Sequence, residues 1–259
     1  MSKNFWGVAR LFDYRLKKSS YIKALKNSAA KINAYLLLHE INPDHLNDYV
    51  DNIKLSKAQI AQDLFVLSEL GFKKSGFFVE FGATDGVQLS NTHLLETEFS
   101  WTGILAEPGR NWHKELEKNR NASIEKDCVW SVSNEQLTFN EVASGELSTI
   151  NSFSGSDGFK KTRQKGKKYE VKTISLNDLL VKYNAPKLID YLSIDTEGSE
   201  HEILSAFDFS EHKFRVITCE HNFTENREKI HSLLERNGYV RKHAELSKFD
   251  DWYVLADNE

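Results

Sequence analysis

Cysteine is scarce in this chain, and long apolar runs are missing. The two cysteines, Cys128 and Cys219, cannot build a disulfide framework, and nothing near them has the spacing of a zinc site. A disulfide-stapled scaffold is excluded, and a reducing compartment is the plain reading. The longest apolar run near the N-terminus is "AYLLL", Ala34–Leu38, with no signal-peptide core there. No stretch approaches the ~20 apolar residues of a membrane span. A soluble, cytoplasmic protein is the expectation. Excess positive charge is absent too: the net charge is −4, so composition gives no reason to expect nucleic acid. The charge is uneven, however. Residues 1–31 carry eight lysines and arginines against one acid, Asp13, a net +7 that leaves −11 for the rest. Such an arm could touch a membrane surface or an acidic partner, or simply be a solvated helix face.

What is present points to one large α/β domain with an extension. At 259 residues and 40% hydrophobic content the chain can fill a sizeable core. We divide it into a basic helical extension, 1–56, and a main domain, 57–259. In the extension, Phe5, Ala9, Phe12 and Leu16 fall at helical spacing, as do Ile22, Leu25, Ala29 and Ile32, and "NPDH" at 42–45 breaks the pattern. Ser56 is placed to cap an amphipathic helix over 57–70 that stops at Gly71. From Phe77 strands and helices alternate. The strands expected are 77–81, 102–106, 124–127, 191–195 and 214–220, with helices after Asn91, Asn111, Ser175, Glu200 and Thr224. Such alternation predicts a parallel, Rossmann-like sheet with helices on both faces. "GYVRKHAEL" and "DDWYVLAD" are too close together for a crossover, so an antiparallel pair closes the sheet. Residues 143–168 lack periodicity, hold four glycines and end in a basic cluster, Lys160–Lys168; a lid or binding loop is expected.

The turn after the first strand is informative for what it omits. A dinucleotide turn is G-x-G-x-x-G, but "GATDG", Gly82–Gly86, has no middle glycine. Glu80 and Asp85 flank it, and carboxylates there would repel a pyrophosphate. They suit a cofactor bearing an amino group and a sulfonium, as S-adenosylmethionine does. Glu107 ends the second strand, where an acid can hold both ribose hydroxyls, with Pro108 beside it. Asp127 could accept the adenine amino hydrogen, with the Cys128 backbone N–H donating to the ring. Asp195 and Glu197 end the fourth strand, at the carboxyl edge where ligands bind in open α/β sheets. Any one of these acids could be a helix cap; four successive strands ending in acids is harder to explain that way.

These residues carry a resemblance. "FFVEFGATDG", "ILAEPG" and above all "ISLNDLL…IDYLSIDTEGSEHEIL" resemble the FkbM-type family of S-adenosylmethionine-dependent methyltransferases, over roughly 59–257. The resemblance implies a class I methyltransferase fold, a parallel sheet with a C-terminal antiparallel strand, and O-methylation of sugars, polyketides or other hydroxylated metabolites. It implies that Glu80, Gly82, Ala83, Asp85 and Gly86 surround the methionine part, Glu107 and Pro108 the ribose, and Asp127 with Cys128 the adenine. Asn91 and Thr92 would bind the cofactor carboxylate. The first fifty-odd residues lie outside the match.

Methyl transfer to an alcohol needs alignment and a group to take the hydroxyl proton. Candidates at the carboxyl edge are Asp195, Glu197 and His221. Adjacent strand ends lie about 5 Å apart, so Asp195, Glu220 and His221 are also candidate ligands of Mg2+ or Mn2+. The competing arrangement makes His221 a metal-free base with Glu220 holding its ring. There is no nucleophile triad, and His93 and His201 read as structural. The basic cluster Lys160–Lys168 suggests a glycan or small-molecule acceptor of anionic character. A homo-oligomer stays open. Two other functions remain: a catalytically silent interaction module, and a nicotinamide dehydrogenase, which the missing glycine and acidic turn disfavour.

Overall fold

Strict alternation along the central strands sends neighbouring side chains to opposite sides of one sheet, and two cores result. The computed structural model describes residues 29–143, 145–155 and 160–256; the helices and basic charge expected in 1–28 lie outside the described residues. Helices α1 (Ala29–Leu37), α2 (Leu46–Asn52) and α3 (Gln62–Glu69) precede strand β1 (Phe77–Phe81). Then come α4 (His93–Phe99), β2 (Thr102–Ala106), α5 (His113–Asn119) and β3 (Ser123–Glu125). After a long excursion the chain resumes with α7 (Leu176–Lys182), β8 (Leu188–Ile194), α8 (Glu200–Ser205) and β9 (Lys213–Glu220). It closes with α9 (Asn226–Arg236), β10 (Tyr239–Lys242) and β11 (Asp250–Leu255).

The main sheet has the order β10-β11-β9-β8-β1-β2-β3. The pairs among β9, β8, β1, β2 and β3 are parallel, and β11 is antiparallel to both its neighbours. This is the expected parallel sheet with an antiparallel C-terminal strand, the class I methyltransferase architecture. On one face Phe78, Leu105, Tyr191, Val216 and Trp252 meet α1–α5. On the other Val79, Ile104, Leu192 and Ile217 meet α7, α8 and α9. The described part of the N-terminal region therefore packs into the same core as the sheet. Phe65 of α3 stacks on Trp252 with centroids 4.7 Å apart. Burying each such ring contributes about 1.5–3 kcal/mol.

Three local expectations need correcting. The helix expected over 57–70 begins only at Gln62, because Ala58 bridges to Leu89 and Ala61 adopts φ 72°. Ser56 caps nothing at its own end; its Oγ donates to Asp63 Oδ1 at 2.7 Å. The strand expected at 124–127 stops at Glu125, whose Oε1 accepts from the Lys126 and Asp127 amides and turns the chain away. Residues beyond it enter a second sheet, ordered β4 (Cys128–Trp130), β7 (Lys167–Ser175), β5 (Gln136–Glu141) and β6 (Thr149–Ile150). The segment 143–168 thus contains β6, the short helix α6 (Lys160–Arg163) and the start of β7, so it is not a structureless loop.

Candidate active site

Parity in the strands puts the site on one face. Glu80, Glu107, Asp195 and Glu220 share the side taken by Phe78, Leu105, Tyr191 and Val216, and all four line a cavity of about 260 Å³ at the carboxyl edge. Small-molecule sites begin near ~300 Å³, so the space is close-fitting. Its far side is the second sheet, which contributes Val129, Phe139 and Ile150, with Leu147 from the turn before β6.

The β1 turn is held by close approach. Gly82 has φ 75°, and a Cβ there would lie 2.1 Å from the Asp195 carbonyl oxygen, so only glycine lets the β1 and β8 tips touch. Glu107 is gripped by two amides: Thr84 N donates to Oε2 at 2.8 Å and Gly109 N to Oε1 at 2.7 Å. Burial pushes its pKa up to about 7 against the lowering effect of those amides. Glu80 is fully engaged inside the protein. Its oxygens accept from Ser90 Oγ, the Asn91 amide and Thr92 Oγ1, with Arg120 Nη1 at 3.8 Å. It pins the 90–92 segment to β1. Asn91 lines the cavity, donates Nδ2 to Ser193 Oγ at 2.9 Å, and leaves Oδ1 buried with no hydrogen-bond partner among the described residues.

The β8 tip is shaped by Glu200. Its Oε1 accepts from Thr196 N at 2.9 Å and Gly198 N at 3.0 Å, folding a tight turn in which Glu197 has φ 59°. Glu197 Oε2 accepts from Arg163 Nη2 at 2.7 Å, and the same guanidinium donates from Nε to Leu147 O at 2.8 Å. Arg163 is fully buried and straps the second sheet over the cavity. Burial, with nearby Glu200 next, raises the Asp195 pKa to about 7. Burial, with Asp195 next, pushes Glu220 well up. Asp250, paired with Glu220 across the sheet, is raised the same way and accepts from Gln62 Nε2 at 2.8 Å.

Several expected residues lie elsewhere. His221 does not line the cavity. Its Nδ1 accepts from the Phe223 amide at 3.0 Å and its Nε2 faces the Asp250 carbonyl at 3.0 Å, which fixes one neutral tautomer. Burial lowers its proton affinity further. His221 is thus neither an available base nor a ligand; Asn222 takes its place in the lining. Asp85 caps its own turn, accepting from the Val87 and Gln88 amides. Gly86 packs on Arg120 and Leu116, and Ala83 is buried beneath the turn. Thr92 Oγ1 is spent on Glu80 and Arg120, so it has nothing for a cofactor carboxylate. Asp127 turns outward toward Lys172, while Cys128 and Pro108 do line the cavity. The exposed lysines of 160–168 are away from it; Lys161 and Lys165 border a separate surface hollow. Trp112, Phe139 and Arg163 went unrecognised in the sequence, since only the second sheet and its strap bring the last two to the site.

The electrostatic result is one-sided. Glu80, Glu107, Glu146, Asp195, Glu197 and Glu220 line the cavity, and no lysine, arginine or histidine does among the described residues.

The family described as the methyltransferase FkbM domain matches residues 80–244. Among solved structures, the chain is similar to precorrin-6y C5,15-methyltransferase from Geobacter metallireducens, at 12% identity and TM-score 0.40, covering 78% of this chain and 89% of that one. It is also similar to a methyltransferase FkbM from Methylobacillus flagellatus, at 10% identity and TM-score 0.43, covering 86% of this chain and 58% of that one. No curated protein matches the sequence.

Proposed function

Because the chain belongs to the methyltransferase FkbM domain family, we propose that it uses S-adenosylmethionine to methylate a hydroxyl of a sugar, glycan or other hydroxylated small metabolite. The observation that carries this reading is the cavity lined by six carboxylates and no basic side chain among the described residues. That lining favours a ligand carrying a sulfonium and an ammonium and opposes a pyrophosphate, which argues against a nicotinamide cofactor.

The residues present fit the cofactor. Glu107, fixed by two amides, has lone pairs left to accept from both ribose hydroxyls. The unpartnered Oδ1 of Asn91 suits the ammonium, in place of the carboxylate expected from the sequence. Trp112, Val129 and Phe139 offer an apolar wall for the adenine beside the Cys128 backbone. The cofactor, when bound, supplies a methyl group on a positively charged sulfur. The protein's part is to orient the acceptor and move one proton. Asp195, whose pKa burial raises to about 7, is matched to take the hydroxyl proton near neutral pH. Glu197 and Asn222 line the same end and orient the acceptor. The acidic lining favours a neutral or amino-bearing acceptor over the anionic one suggested by Lys160–Lys168.

The test uses methyl-labelled S-adenosylmethionine with a panel of glycans, nucleotide sugars and hydroxylated metabolites. Label on an acceptor oxygen is the expected result. Calorimetry showing NAD binding and no S-adenosylmethionine binding would end the proposal.

A further inference from the structure

We propose that Asp195, Glu197 and Glu220 form a divalent-cation site at the carboxyl edge of the sheet, suited to Mg2+ or Mn2+. Each residue offers one carboxylate oxygen, and the three oxygens lie within 4.8 Å of one another. On a Mg2+ ion with oxygens at ~2.1 Å, opposite oxygens are ~4.2 Å apart and adjacent ones ~3 Å, so the three side chains must draw in by up to about 1–2 Å to close on an ion.

Clustered acids alone would not make a site. Glu220 supplies an independent sign: it is only 7% exposed, it lines the cavity, and its Oε2 has no hydrogen-bond partner among the described residues. A buried carboxylate oxygen left without a donor is unfavourable, and a bound cation removes that cost. The ligand set is all oxygen, which suits a hard cation that retains water on its open side. That open side faces the cavity, where an acceptor hydroxyl can replace a water.

The ion's role rests on the methyl-transfer reading, whereas the site does not. In that role it would polarise the acceptor hydroxyl and stabilise the developing alkoxide, with Asp195 beside it to receive the proton. His221, expected as a ligand from the sequence, has no place in it, because the Phe223 amide and the Asp250 carbonyl engage both its ring nitrogens.

The experiment titrates the chelator-stripped full chain with MnCl2 and follows loss of the free-ion electron paramagnetic resonance signal. S-adenosylmethionine binding is measured separately by calorimetry in chelator. Saturable uptake of a single ion is expected, and Glu220→Gln and Glu197→Gln should each weaken it by on the order of 10–100-fold. His221→Gln should leave it unchanged. Circular dichroism identifies a variant that fails to fold, and the other variant then decides. Absence of uptake below about 1 mM, the weak end of protein cation sites, overturns the proposal. So does uptake that both folded variants retain, since the ion is then bound elsewhere. Uptake without S-adenosylmethionine binding would fault only the methyl-transfer reading, and the reverse would fault only the metal site.

Discussion

Glu107 and His221 look alike in the sequence, each a polar residue at the end of a strand, yet their surroundings give opposite expectations. Glu107 spends one lone pair of each oxygen on the Thr84 and Gly109 amides and faces the cavity with the rest. Glu107→Gln keeps one oxygen acceptor but removes the charge. S-adenosylmethionine affinity should then fall by about 1.5–3 kcal/mol, the worth of hydrogen bonds to a charged group, with some loss of stability where the new NH2 faces the Thr84 or Gly109 amide. Equal affinity in calorimetry would remove Glu107 from the ribose site. His221 is tied to the Phe223 amide and the Asp250 carbonyl. His221→Gln should lower stability by about 1–3 kcal/mol through these lost partners. Its kcat should stay close to wild type. A collapse of kcat with unchanged urea midpoint would restore His221 to the chemistry.

At the level of elements, two devices hold the site. The first is the contact between the β1 turn and the β8 tip. Gly82→Ala would push a Cβ into the Asp195 carbonyl and force alanine into φ 75°. A loss of at least roughly 1–3 kcal/mol is expected from backbone strain alone, read from the denaturant midpoint, together with loss of cofactor binding. The second is the strap made by α6. Arg163 joins α6 to Glu197 and to the Leu147 carbonyl. Breaking a buried ion pair from one side typically costs about 3–5 kcal/mol. Arg163→Met should therefore expose α6 to limited proteolysis and raise the KM for both substrates. Protease resistance equal to wild type would show that the strap is held by other contacts.

Across the whole molecule, buried acids set an unusual pH response. Burial raises Asp63 from 3.8 to about 6, so the folded protein holds its proton more tightly than the unfolded chain does. Its stabilising contribution is complete below pH ~4 and is lost as pH rises through ~6, a change of roughly 3 kcal/mol by pH 7.5. His93, His212 and His221, whose proton affinities are lowered chiefly by burial, pull the other way as the pH falls. The discriminating quantity is the stability difference between wild type and Asp63→Asn. It should move in the variant's favour between pH 5 and pH 7.5 in urea titrations. A flat difference would mean that Asp63 is ionised throughout.

Strand and helix periodicity determined the order of the parallel strands, and the short link between the last two strands determined the antiparallel close, but the start of α3 and the end of β3 were set by tertiary contacts. The acids at the strand tips were legible from the same periodicity: Glu80, Glu107, Asp195 and Glu220 fall on one face by simple alternation. Their division of labour was not. Glu80 turned out to hold Ser90, Asn91 and Thr92, and Asp85 its own turn, because their partners come from the loop that follows. The second sheet escaped notice because β4, β5, β6 and β7 are short or partly exposed and pair over long separations, as β5 does with β7. With it went Phe139 and Arg163, whose places depend on that pairing. Sequence spacing could bring His221 to the edge of the sheet, but only the packing of β11 against β9 decided which way its ring turned. Local pattern fixes which face a residue occupies; the partner that claims its polar atoms is set by contacts distant in the chain.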